Sequence, residues 1–146
     1  MTRVNRKVEY ALMALKHMSA KVPGELTSAK EVVGSTGVPF DATARVMQQM
    51  ANRGLLRSEQ GAHGGYVIMR DLTKVSLFEL YEMILGKLET ARCVGEGKGC
   101  ELETNCNIQS PMNLLHRRMT DFYRGVVLSD LLRIKEREAG YEARAE

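Results

Sequence analysis

A glycine-rich hairpin directly behind three short amphipathic helices is the feature that most restricts what this chain can fold into. Leu55-Leu56-Arg57-Ser58 and Tyr66-Val67-Ile68-Met69 are strand-like runs, and Glu59-Gln60-Gly61-Ala62-His63-Gly64-Gly65 separates them. Ahead of them, Val8, Ala11, Leu12 and Leu15 recur at helical spacing over residues 6–20, Met18 extends the stripe and Pro23-Gly24 ends it. Ser28-Ala29-Lys30-Glu31 has the form of a capping box and opens a short helix to Gly34, after which Gly37-Val38-Pro39 turns the chain. A third helix places Thr43, Val46, Met47 and Met50 on one face and Arg45, Gln48, Gln49 and Asn52 on the other, closing at Arg53-Gly54. Helix-turn-helix followed by hairpin predicts a mainly α, winged helix-turn-helix domain with a small β wing over residues 1–75. Such a domain binds nucleic acid or, alternatively, serves as a protein-interaction module.

Charge supports the first of these. Residues 1–75 carry eleven Lys and Arg against six Asp and Glu, while residues 76–146 carry ten against twelve, so the basic excess lies with the hairpin. The longest uncharged apolar run falls far short of the roughly 20 residues a bilayer demands. On the third helix, Asp41, Thr43, Ala44 and Arg45 project from the first turns. Arg45 is the candidate base reader, because a guanidinium can bond both acceptors of guanine. Asp41 can accept from cytosine or cap the helix. Arg3, Lys30, Arg53 and Arg57 suit phosphates, and His63 and Gly64 at the wing tip suit the minor groove and close backbone approach.

Residues 76–134 form a second unit. Ser76-Leu77-Phe78-Glu79 opens another capping box, and Leu77, Leu80, Tyr81 and Ile84 continue a stripe that Gly86 stops. A loop of about residues 87–110 then holds the chain's only cysteines, Cys93, Cys100 and Cys106. An odd count cannot all pair within the chain, and with no secretory signal peptide the expected setting is a reducing cytoplasm in which thiolates persist. The stretch between them, rich in glycine and charge, offers no apolar anchor and is expected to need a metal or cluster to order it. Ser110-Pro111 then supplies an N-cap and first-turn proline for a long helix bearing Met112, Leu115, Met119, Phe122 and Val126. That seam wants a partner, either a second copy of the chain or its own core. Residues 135–146 are a polar tail. Paired C-x2-C zinc motifs and the four cluster cysteines of ferredoxins are missing, as are nucleotide loops and nucleophile elbows, so neither an electron carrier nor an enzyme is indicated.

In this order the parts resemble the bacterial iron–sulfur regulators of the IscR/NsrR type, the Rrf-two family. The resemblance runs from Tyr10-Ala11 through Gly37-Val38, Gly54-Leu55-Leu56 and the wing Gly61-Ala62-His63-Gly64-Gly65-Tyr66 to Arg92-Cys93, the Cys-x6-Cys-x5-Cys triplet and Leu128-Ser129-Asp130-Leu131-Leu132. It implies a homodimer with crossed long helices on double-stranded operator DNA. One iron–sulfur cluster per subunit would be held by Cys93, Cys100 and Cys106, and change in the cluster would report redox poise, nitric oxide or iron–sulfur status. The IscR-like branch carries a histidine where this chain has Gln109, and His116 is read as a surface residue. The NsrR-like branch takes a carboxylate from the partner's first helix, and the matching residue is Glu9, a hard-oxygen and therefore labile ligand to iron. That acid favours 4Fe–4S over 2Fe–2S, against a first cysteine gap one residue longer than the family's. Family DNA contacts map onto Asp41, Ala44 and Arg45. The alternative is a zinc-thiolate or cluster-free winged-helix repressor without redox sensing.

Overall fold

The computed structural model describes residues 3–94 and 99–133; the polar tail 135–146 lies outside them. Helix α1 (Arg6–Ser19) begins where the Asn5 side chain accepts from the Lys7 N–H at 2.9 Å. Its buried stripe is Val8, Ala11, Ala14, Leu15 and Met18: Ala14 joins the residues that periodicity marks, while Leu12 is only half-buried at the edge of the core. Helix α2 (Ala29–Thr36) starts at Ser28, whose hydroxyl accepts from the Glu31 N–H at 3.2 Å. The return half of that capping box is not made, because the Glu31 carboxylate accepts from Lys21 Nζ at 2.8 Å and lies 3.1 Å from His17 Nε2. The helix runs past Gly34 to Thr36, where Gly37 at φ 74° supplies the left-handed cap.

Helix α3 (Phe40–Asn52) buries Thr43, Val46, Met47 and Met50, and Gly54 turns the chain out at φ 77°. Strands β1 (Leu56–Glu59) and β2 (Gly65–Ile68) pair antiparallel, from Leu56 opposite Ile68 to Glu59 opposite Gly65. Both strands are displaced by one residue from the expected runs, β1 later and β2 earlier. The shift follows from the pairing of Glu59 with Gly65 next to the turn. On the other edge of β2 a bridge that no local pattern shows is made by Thr27, which exchanges both backbone hydrogen bonds with Tyr66, at 2.8 and 2.9 Å.

Helix α4 (Leu77–Leu85) has the complete capping box: Ser76 accepts from the Glu79 N–H, and the Glu79 carboxylate accepts from the Ser76 N–H at 3.0 Å. Burial pushes the Glu79 carboxyl up, but the Ser76 N–H and the Arg70 guanidinium outweigh it and hold the group below its ordinary range. Helix α5 (Gln109–Gly125) departs from expectation at both ends. It begins before Ser110-Pro111, with Ile108 in the cap position and no side-chain cap bond, so the serine sits inside the first turn. It stops at Gly125 because Val126 is extended: its carbonyl accepts from the Leu77 N–H at 2.7 Å, and the Leu128 N–H donates to the Val75 carbonyl at 2.9 Å. Val127 bridges Ser76, and the Leu128–Leu132 motif forms a separate short helix, α6.

The core lies among α1, α3, α4 and the wing base, where Leu15, Met47, Met50, Leu55, Leu80 and Leu128 are fully buried. Each such side chain contributes about 1.5–3 kcal/mol. Helix α5 stands apart. Thr120 is its one buried residue, while Leu115 is 44% and Phe122 67% exposed.

Candidate functional site

The outer face of α3 is assembled by subtraction. Val46, Met47 and Met50 lock one side of the helix into the core, so Asp41, Arg45 and Gln48 are left on the solvent side, with Ala44 half-buried beside them. Arg45 makes no hydrogen bond or ion pair with any described residue, so its full donor set faces outward. Thr43 is a correction. It is fully buried and its hydroxyl donates to the Pro39 carbonyl at 2.8 Å, so it fastens the first turn and cannot meet a base edge. Two residues on this surface escape a reading by motif: Gln48, and Phe40, whose ring is 46% exposed at the first helical position. For Phe40 the available signal is an aromatic residue at the first position of the helix, where an exposed ring can meet a thymine methyl.

The wing shows a second correction of cause. His63 is exposed at the tip, but Gly64 and Gly65 are required by the fold itself. A Cβ on Gly65 would fall 2.7 Å from the Thr27 carbonyl oxygen, and one on Gly64 would collide with the Glu59 carbonyl oxygen. Their lack of side chains therefore serves packing between backbone segments before any contact with DNA. Arg57 on β1 is exposed but engaged with Glu59 at 3.2 Å, an ion pair that a phosphate would have to displace. Lys30 and Arg53 are exposed and carry no ion pair with a described residue.

Cys93, Cys100 and Cys106 are free, partly exposed thiols in the segment that joins α4 to α5. The segment is not anchorless: Val94, next to Cys93, is 2% exposed, and a 3-10 turn spans Glu103–Asn105. Among the described residues no three His, Cys, Asp or Glu side chains converge as a metal site. The donor set still fits iron or zinc by chemistry, being three soft thiols on one short segment. Glu9 is half-buried on α1 and paired with Arg6 at 3.0 Å. It sits near Tyr81, whose phenol is pushed up by burial first and by Tyr123 second, the two rings packing at 5.0 Å. His116 is half-buried rather than superficial, with Nδ1 3.3 Å from the Thr90 hydroxyl. Gln109 is the first residue of α5, and His17 sits between Glu31 and Ser35.

No described helix is long and apolar enough to cross a membrane. The model of the Rrf2 family, described as an iron-dependent transcriptional regulator, matches residues 4–134. The HTH-type transcriptional regulator IscR of Escherichia coli is 22% identical over 134 residues, covering 92% of this chain and 82% of its own. Among solved structures, CymR, the global cysteine regulator of B. subtilis, superposes with a TM-score of 0.66 at 18% identity, covering 90% of this chain and 97% of its own. The IscR of T. potens gives 0.65 at 18%, covering 94% and 90%. At such identities the superpositions establish the winged-helix fold, and the family match adds the activity. The chain belongs to the Rrf2 family of DNA-binding transcriptional regulators, and is not an enzyme.

Proposed function

We propose that the chain is a cytoplasmic, iron–sulfur-dependent regulator that binds operator DNA as a homodimer. The observation that carries this reading is the confinement of its only three cysteines to the one irregular segment between α4 and α5. Cys93, Cys100 and Cys106 would hold the cluster, 4Fe–4S in preference to 2Fe–2S, with Glu9 of a second copy as the oxygen ligand. The bound group supplies a centre whose oxidation state or integrity changes with redox poise, nitric oxide or iron supply. Releasing Arg6 frees the Glu9 carboxylate, so ligation competes with an ion pair and is easily reversed. The exposed Leu115 and Phe122 of α5 are offered to the second copy, and two readers so joined match a two-fold operator. Asp41, Ala44 and Arg45 read bases, while Lys30, Arg53, Arg57 and the His63 wing tip hold the backbone. Residues 1–75 serve as the reader and 76–134 as the sensor and dimer unit.

The alternative is a zinc-bound or cluster-free repressor; the lack of a converged three-donor group among the described residues favours its cluster-free form alone, since zinc would need the same thiols brought together. Purification without oxygen, followed by absorbance, iron and sulfide assays and native mass, separates the two. A brown dimer with two or four irons per subunit supports the proposal. A colourless dimer that still binds operator overturns the sensing step and leaves a cluster-free repressor.

A further inference from the structure

Gln49 is a half-buried amide on α3 that the reading of DNA does not use. Its Nε2 donates to the Ile84 carbonyl of α4 at 3.3 Å, while its Oε1 is buried and accepts from no described residue. The orientation of the amide is thereby fixed, since only its NH2 end can face a carbonyl. A helix leaves its last four carbonyls without intrahelical donors, and Ile84 is one of these in α4. The recognition helix thus supplies a cap to the helix from which the cysteine segment departs. Gly86, at φ 81°, ends that same turn and begins the segment.

Gln49 also lies one turn beyond Arg45 on α3. It makes the one side-chain hydrogen bond described between α3 and another helix, beside the apolar contacts of Val46, Met47 and Met50 with the core. A change in that bond alters how α3 lies against the last turn of α4, and so where Arg45, one turn away, points. We propose that Gln49 is a positioning residue that transmits the state of the cysteine segment, through the last turn of α4, to the aim of Arg45. The inference deepens the proposed function and rests on it for the identity of the signal, but the link itself is testable without any cluster.

In the cluster-free full-length chain, alkylating the three partly exposed thiols with iodoacetamide perturbs the segment directly. The readout is amide hydrogen exchange over residues 47–52. In the wild type, alkylation should accelerate this exchange several-fold. In Gln49→Met, which keeps the volume, and in Gln49→Leu, neither of which can donate to the Ile84 carbonyl, the response to alkylation should vanish, with circular dichroism checking that each variant is folded. An unresponsive wild type, or variants that respond as the wild type does, would overturn the inference. Comparing the operator affinity of loaded and cluster-free wild type tests the sensing reading separately. A chain that never loads a cluster would defeat that reading and leave the exchange result standing.

Discussion

Helices α3 and α5 are both amphipathic, yet they dispose of their apolar faces in opposite ways. The thirteen residues of α3 bury four side chains within the chain, whereas the seventeen of α5 bury Thr120. On α5 the half facing α4 is partly covered, with Tyr123 against Tyr81 and Arg124 stacked 4.5 Å over Phe78. The other half leaves Leu115 and Phe122 in solvent, and Ile108 at the cap position continues their seven-residue interval. A stripe answered by its own chain fixes a platform; a stripe left unanswered is the surface that the proposed function offers to a second copy.

Five measurements would break or sharpen that contrast. The largest effect is expected from Met50→Ala, which empties a fully buried site and should cost about 2–5 kcal/mol in denaturant unfolding. Leu115→Ala with Phe122→Ala should instead leave the unfolding of dilute protein nearly unchanged and weaken self-association in sedimentation. If the α5 pair costs dilute protein as much as Met50→Ala does, the contrast fails. Next comes Arg45→Ala, on the outer face of α3: specific operator binding should weaken by about 1–3 kcal/mol while the melting temperature holds, measured by fluorescence anisotropy and a thermal melt. Ser76→Ala removes half of the capping box under α4 and should cost about 1 kcal/mol.

The smallest effect concerns acid stability. The Lys21 ammonium first, and His17 second, hold the Glu31 carboxyl below its ordinary range. A depressed carboxyl contributes stability that is fully present above its unfolded-state pKa and is lost as pH falls through the folded one. Glu31→Gln should therefore flatten the acid limb of a stability profile and leave the neutral region almost level, because the site is largely exposed. An unchanged acid limb would place the pair's contribution at zero.

Much of the helical framework was legible because its determinants are local. The stripe of α3, the box at Ser76 and Glu79 and the breaks at Gly37 and Gly86 each lie within a few residues of what they control. The helical pattern rightly put Thr43 on the face of Val46, Met47 and Met50, yet it was also counted among the first-turn residues facing DNA; the Pro39 carbonyl that accepts from its hydroxyl settles it in the core. The wing glycines were read for DNA, although the Thr27 backbone that demands Gly65 comes from far earlier in the chain. The start of α5 was placed at a favourable cap pair that the helix overruns, and its end depends on Val75 and Leu77, to which no local pattern points. Val94 was overlooked as an anchor because a single apolar residue among glycines and charges carries no periodicity. For the candidate site, the residue types could be read from sequence, but their engagement could not: the pairings of Arg57 with Glu59 and of Glu9 with Arg6 are properties of geometry.

The bridge between Ser76 and Val127 has an architectural consequence. It staples the two ends of the excursion that leaves with α4, passes through the cysteines and returns along α5. Because the ends are clamped, the entropy of closing this excursion grows only slowly with its length. A residue inserted between Cys93 and Cys100 is therefore expected to cost little in stability, because the clamp at Ser76 and Val127 closes the excursion whatever its length. On the proposed function, the thiols can thus be re-spaced at small cost to the fold, and the effect of re-spacing would be felt through the last turn of α4.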